Sequence, residues 1–71
     1  ALGQALREMR EGQDISQERL GDMCDLHRTF VSQMERGVGN PSMRSLLKVC
    51  SALGEPFSTL VAMAELQLGK R

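Results

Sequence analysis

The feature that most constrains the fold is a pair of short helical patterns with only two or three residues between them. The first pattern covers residues 17–24 and the second about residues 27–36, with a break at Asp25 and Leu26. So short a break forces the two helices to cross at a steep angle. The side chains expected to meet inside this corner are Leu20, Cys24, Leu26, Val31 and Met34. The sequence therefore predicts a helix-turn-helix unit at about residues 16–36.

Residues that start or stop helices flank both patterns. Ser16 is a favourable N-cap for the first helix, because its hydroxyl can accept a hydrogen bond from an unpaired backbone N–H group. Gly37 is expected to end the second helix. Gly21 is small, as a residue at a close contact between two helices should be.

Three further helices are predicted outside this unit. Gly12 ends the first, Ser42 caps the fourth, Gly54 stands where the fourth stops, and the fifth starts near Pro56. The positions expected to face inward are Leu2, Ala5, Leu6 and Met9, then Met23 in the second helix, then Met43, Leu46, Leu47, Cys50 and Leu53, and finally Phe57, Leu60, Val61, Ala64 and Leu68. No strand, repeat or linker is recognisable, so we expect one compact all-α bundle of five helices over residues 1–71.

Size and cysteine content narrow the class of protein further. The chain has 71 residues, enough for one hydrophobic core. It begins at Ala1 rather than at a methionine, so a piece of a longer protein remains possible at this point. No signal peptide or membrane-spanning run is recognisable. Cys24 and Cys50 are too few for a disulfide framework and fall inside predicted helices, which favours a reducing, cytoplasmic setting.

Charge is unevenly distributed, although the formal net charge is zero. Between residues 8 and 25, six carboxylates face only Arg10 and Arg19. Between residues 28 and 48 the balance reverses, and four cations face one carboxylate: Arg28, Arg36, Arg44 and Lys48 against Glu35. A nucleic acid responds to the local field at the docking surface more than to the total charge. The second segment is therefore the expected surface for a polyanion.

The outward residues of the second helix have the chemistry that reads a DNA groove. If Val31 and Met34 face the core, the outward positions are Arg28, Thr29, Ser32 and Gln33. Arg pairs with guanine, Gln pairs with adenine, and Ser or Thr can serve a base or a phosphate. Thr29 could equally serve only to start the helix, and His27 could approach DNA beside Arg28. We therefore expect a recognition helix in the major groove of double-stranded DNA.

The spaced motifs resemble those of the Cro/phage-repressor-like helix-turn-helix family. Three of them occur in the order and at the spacing of that family: Ser16-Gln17, Glu35-Arg36-Gly37 and Asn40-Pro41-Ser42. Two positions depart from the pattern, because Gly21 replaces the usual alanine and Asp25 the usual glycine. Asp can still adopt left-handed backbone angles. The resemblance covers nearly the whole chain and implies a lambda-repressor-like domain that activates or represses transcription.

Residues 26–32 are most similar to the controller proteins of bacterial restriction–modification systems. That resemblance implies a homodimer on a palindromic operator in a bacterial or phage-like cytoplasm. It implies no cofactor, no small-molecule substrate and no membrane. Two alternatives stay open: an antitoxin or other protein-interaction module of the same fold, and the DNA-binding domain of a larger ligand-sensing regulator.

Residues outside the second helix also receive expected roles. Gln17 should touch a phosphate or brace the recognition helix. The first turn of the fourth helix has unpaired backbone N–H groups, which can bind a phosphate group. Phosphate contacts are accordingly expected from Asn40, Ser42 and Arg44. The family resemblance implies that Glu35 and Arg36 bind within the domain, with Arg10 and Glu35 as an internal ion pair.

The fifth helix is the expected dimer interface, together with the adjoining end of the fourth. Met63 and Leu66 fall off its inner stripe and would be exposed in a monomer. Exposed large apolar side chains in so small a domain favour coverage by a partner.

Metal binding and catalysis have little support in the sequence. Cys24, Asp25 and His27 could form part of a metal site with Cys50, but no second closely spaced pair of ligands follows. The chain has one histidine, no glycine-rich phosphate loop and no recognisable pair of catalytic carboxylates. We therefore expect neither a metal nor an enzyme.

Overall fold

The structure is a computed structural model that describes residues 2–39 and 41–69. Over these residues the chain forms five helices and no strand: α1 (Leu2–Gly12), α2 (Gln17–Cys24), α3 (Arg28–Arg36), α4 (Met43–Ala52) and α5 (Phe57–Gly69). The predicted all-α fold of five helices is confirmed, with helix bounds within about one residue of those expected.

An aliphatic core holds the five helices together. Helix α1 packs against α3 and α5, while α2 packs against α3 and α4. The side chains with the least exposed surface come from every helix: Ala5, Leu6, Leu20, Val31, Val49, Cys50 and Leu60. Among the described helices, none alone is long and apolar enough to span a membrane, and α4 and α5 meet that standard only as a pair bent by 101°.

The residues expected to start and stop helices do so. Ser16 Oγ accepts a hydrogen bond from the backbone N–H of Arg19 at 3.0 Å, and Ser42 caps α4 in the same way. Asp25 ends α2 and Gly37 ends α3, both in the left-handed backbone region, with φ of 59° and 72°. The start and end of α2 and the end of α3 are therefore specified by local chemistry.

Gly21 permits the close crossing of α2 and α3. A Cβ atom at this position would lie 2.4 Å from the carbonyl oxygen of Leu26, far inside the contact distance of two non-bonded atoms. The backbone of the turn thus occupies the space that a side chain would fill. The departure from the family's usual alanine accordingly has a structural reason in this chain.

Some side chains expected in the core are exposed instead. In α4, Met43 and Leu47 are 55% and 48% exposed, whereas Val49, which the predicted stripe left out, is fully buried. Helix α4 carries apolar residues around more than half of its circumference, so spacing alone does not decide which side meets the core. Three other residues expected inside are exposed as well: Leu2, Met23 and Leu68.

Gln67 continues the buried row of Leu60 and Ala64 on α5, where an apolar residue would be expected. Both polar atoms of its amide are buried and have no hydrogen-bond partner among the described residues. We expect Gln67→Met to raise the free energy of unfolding by about 1–2 kcal/mol, because the buried amide forgoes hydration without compensation. Urea unfolding followed by circular dichroism measures this, with the exposed Gln4→Met as control. An unchanged midpoint for Gln67→Met would contradict the prediction.

Candidate nucleic-acid interface

Helix α3 separates an inner apolar face from an outer polar face. Val31 and Met34 point into the core and are at most 4% exposed. On the other side Arg28 and Thr29 are exposed, and Ser32 and Gln33 are half-buried. The structure thus brings the four expected reading residues together on one face of a nine-residue helix.

His27 is the N-cap of α3. Its Nδ1 atom accepts a hydrogen bond from the backbone N–H of Thr29 at 3.0 Å, while the ring remains exposed. Thr29 therefore helps to start the helix through its backbone, and its exposed side chain is left for other contacts. Both interpretations of Thr29 are thus compatible with the geometry.

Arg28 forms an exposed ion pair across the corner between the two helices. Its Nη1 atom lies 3.6 Å from Oε2 of Glu18 in the first turn of α2, and both side chains are about two-thirds exposed. Ion pairs this exposed contribute little to stability. The guanidinium can therefore leave Glu18 for a stronger acceptor. This pair could not be predicted from the sequence, because it depends on the crossing angle of two helices.

A buried network connects the recognition helix to α1 and α2. Arg10 donates from Nε to Glu35 Oε2 at 2.6 Å and from Nη2 to Glu35 Oε1 at 3.0 Å. The same guanidinium donates to the carbonyl oxygen of Ile15, and Gln17 Nε2 donates to Glu35 Oε1 at 3.0 Å. The hydrogen bond with Glu35 raises the pKa of Arg10 above its ordinary value. The expected ion pair is confirmed, and it is bidentate.

This network bears on two of the expected roles. Gln17 braces α3 through Glu35, whereas its contact with phosphate stays a prediction. The expectation that Arg36 also binds within the domain is wrong, since Arg36 is exposed and has no hydrogen bond or ion pair among the described residues. Arg36 is the last residue of α3 and lines an open depression together with Arg7 and Glu8 of α1.

The start of α4 offers a second polar surface. Ser42 is exposed although its hydroxyl already accepts from the backbone N–H of Ser45 at 3.1 Å. Arg44 is exposed in the first turn of the helix and lines an open surface together with Lys48. Asn40, the third expected phosphate contact, lies outside the described residues.

Comparison with known proteins agrees with this geometry. Residues 6–60, from α1 into α5, match the family model HTH_3, which is described as helix-turn-helix. The chain belongs to this helix-turn-helix family. Family membership makes it a DNA-binding regulator of transcription, as the motifs in the sequence predicted.

Individual relatives of the regulator carry more specific names. It is 45% identical over 54 residues to Control protein C.BamHI of Bacillus amyloliquefaciens, covering 75% of this chain and 67% of that protein. It is 38% identical over 65 residues to Control protein C.MunI of Mycoplasma sp, covering 90% and 88%. A solved structure, the restriction-modification controller protein C.AhdI from Aeromonas hydrophila, superposes with a TM-score of 0.81 at 39% identity, covering 83% and 89%.

Helix α5 of the regulator presents an apolar patch beside the core. Leu66 is 68% exposed, and Ala62, Glu65 and Gly69 surround it on one shallow surface. Met63, which we expected to be exposed, is half-buried and packs against the core. Of the two expected interface residues, only Leu66 is fully available to a partner.

The two cysteines of the regulator are core residues. Cys24 Sγ donates to the carbonyl oxygen of Leu20 at 3.1 Å, and Cys50 is 1% exposed. Burial raises the pKa of both thiols, so both stay protonated at neutral pH. Protonated, buried thiols act as small apolar side chains here.

Proposed function

We propose that this regulator binds a palindromic operator as a homodimer, in the manner of a restriction–modification controller protein. The observation that carries the proposal is the outer face of α3, on which Arg28 and Thr29 are exposed and Ser32 and Gln33 are half-buried. The similarity to C.BamHI, C.MunI and C.AhdI supports it, because each of these is named as a control or controller protein.

In the proposed complex, α3 lies in the major groove. Arg28 contacts a base edge, as the first residue of a recognition helix can. The remaining base contacts are assigned to His27, Thr29, Ser32 and Gln33. Phosphates bind at the starts of the flanking helices, where free backbone N–H groups and the helix dipole attract anions. The residues assigned to phosphate are Gln17, Asn40, Ser42 and Arg44.

Two copies are required because one recognition helix reads only a few base pairs. A two-fold axis would place two α3 helices about 34 Å apart, one turn of DNA. Leu66 is assigned to the centre of that interface and Met63 to its edge. Residues 1–71 form one helix-turn-helix domain in this proposal. The regulator acts in a bacterial or phage-like cytoplasm, without enzymatic activity, cofactor, small-molecule substrate or membrane.

Replacement of Arg28 tests the base contact. We expect Arg28→Ala to weaken binding to the operator by about 1–3 kcal/mol and to relax the preference at one base position, because an Arg–guanine pair is lost. Selection of bound duplexes from a random pool, followed by sequencing, identifies the operator and measures the preference. An equal loss on operator and random duplex would show that Arg28 touches phosphate instead.

Salt dependence tests DNA binding itself, despite the zero net charge. The logarithm of the binding constant should fall linearly with the logarithm of salt concentration, by about 0.9 per phosphate contact. Fluorescence anisotropy of a labelled duplex between about 50 and 200 mM salt measures this slope. Arg44→Ala should reduce the slope by about one, with Arg7→Ala on the far surface of α1 as control. Affinity that does not change with salt would contradict the proposed function.

A further inference from the structure

His27 is an unusual choice for the cap of a helix. Ser, Asn and Asp are the preferred N-cap residues, and this chain uses Ser16 and Ser42 to start α2 and α4. At the start of the recognition helix it uses a histidine, whose ring reaches further from the backbone than a hydroxyl does. Capping alone does not explain this choice, so we looked for a second role for the outer part of the ring.

The cap bond determines which hydrogen the ring presents. Because Nδ1 accepts from the backbone N–H of Thr29 at 3.0 Å, that nitrogen carries no proton. A neutral imidazole then carries its proton on Nε2, which becomes a donor and cannot accept. Among the described residues, Nε2 has no hydrogen-bond partner. His27 therefore offers one directed donor and no acceptor.

The surroundings leave this donor free. Glu18, Asp22, Leu26 and Arg28 line an open depression together with His27. One of the two carboxylates in this depression is already paired, because Glu18 forms an ion pair with Arg28. Neither carboxylate accepts a hydrogen bond from the His27 ring. The ring is exposed at the N-terminal end of α3, the end whose residues contact base edges in a helix-turn-helix complex.

We infer that His27 is a specificity-determining residue of this interface, donating from Nε2 to a purine N7 or guanine O6 in the major groove. The inference rests on the proposed function. In the major groove, guanine presents two acceptors, whereas cytosine presents a donor at the corresponding edge. A side chain that only donates rejects that donor, because the two hydrogens would oppose each other. His27 thus adds a base position next to the one that Arg28 reads.

The matched variants are His27→Ser and His27→Ala. His27→Ser keeps a cap acceptor, like Ser16 and Ser42, but loses the distant donor, so its thermal unfolding should match or exceed that of the wild type. His27→Ala loses both functions and should unfold at a lower temperature. Binding of His27→Ser to the operator should weaken about tenfold, the value of one hydrogen bond. In selection from a random pool, its base preference should relax at one position only.

A modified duplex tests the contact atom by atom. An operator with 7-deazaguanine at that position lacks the N7 acceptor, and one with inosine keeps both N7 and O6. Wild type should bind the 7-deaza duplex about tenfold more weakly than the inosine duplex if N7 is the partner. His27→Ser should bind the two equally. If guanine O6 is the partner instead, a duplex with 2-aminopurine, which lacks O6, is compared with the inosine duplex in the same way.

Other results overturn the inference. Equal weakening of His27→Ser on operator and random duplex would mean a phosphate contact, and unchanged binding would mean that His27 only caps the helix. If the wild type binds the operator and His27→Ser has the same base preference as the wild type, only this inference is rejected. A wild-type protein that retains no duplex from the pool rejects the proposed function as well.

Discussion

Glu35→Ala is expected to lower the free energy of unfolding by about 3–5 kcal/mol, because it leaves a buried cation without its partner. Glu35 and Arg10 are each less than a tenth exposed, and their two hydrogen bonds are joined by a third from Gln17. With the carboxylate gone, Arg10 retains the carbonyl oxygen of Ile15 in the interior and, at 3.8 Å, the exposed carboxylate of Glu11. Urea unfolding followed by circular dichroism measures the loss.

The size of the domain makes this loss decisive. A chain of 71 residues has a total stability of roughly 4–10 kcal/mol. Glu35→Ala should therefore lose a large share of its stability, and operator binding should weaken at temperatures where the unfolded fraction becomes large. Glu35→Gln keeps the shape and one acceptor oxygen, so we expect a smaller loss that can be measured in a folded protein.

Two controls test whether the loss of stability comes from leaving a buried charge unpaired. Arg7 and Glu11 form an ion pair at 3.2 Å on the exposed surface of α1, so Arg7→Ala should change stability by less than about 1 kcal/mol. The double variant Arg10→Met with Glu35→Leu removes both buried charges and should be far more stable than Glu35→Ala alone. A Glu35→Ala loss no larger than that of Arg7→Ala would contradict the buried network as a source of stability.

The bounds of the helix-turn-helix unit could be predicted because their determinants are local. Ser16 and Gly37 act within a few residues of their own positions, and each does in the structure what its side chain predicts. Gly21 was also assigned correctly to the close contact, although only the structure shows that Leu26 occupies the space beside it. Local hydrogen bonding and backbone angles are readable along the chain, so the central unit was predictable.

The packing of α4 and α5 could not be predicted in the same way. Both helices carry apolar residues on several sides, so more than one stripe satisfies the helical period. Val49 was missed in favour of Leu47, and Leu68 was expected where Gln67 is buried. The choice among such stripes depends on neighbouring helices far away in the sequence, which a single pattern does not contain.

In the candidate site, too, local features could be predicted from the sequence, whereas contacts between distant residues could not. The outward position of Arg28 followed from the period of α3, whereas its pairing with Glu18 depends on how two helices cross. His27 was expected near DNA, but its role as N-cap was not, because histidine is outside the usual cap residues. Arg10 and Glu35 were paired correctly through the family resemblance, since 25 residues separate them and no local period relates them.

Leu66→Glu is expected to convert the proposed homodimer into a monomer. Leu66 is 68% exposed between the small residues Ala62 and Gly69, a surface on which a second helix can approach closely. A carboxylate there would be buried without a partner in the dimer, whereas in the monomer it would stay in water. Analytical ultracentrifugation measures the mass. Operator affinity should fall by about 10²- to 10⁴-fold, because two linked half-sites become one.

The matched control is Met23→Glu, which places the same charge on another large apolar side chain, 41% exposed on α2. It should remain a dimer, because an interface on α5 does not include α2. Both variants should keep the helical circular dichroism of the wild type, since neither replaced side chain belongs to the buried core of the monomer. A wild type that sediments as a monomer at high concentration, or a Leu66→Glu variant that stays dimeric, contradicts an interface at Leu66. The proposed two-fold reading of a palindrome would then need a different contact between the two copies.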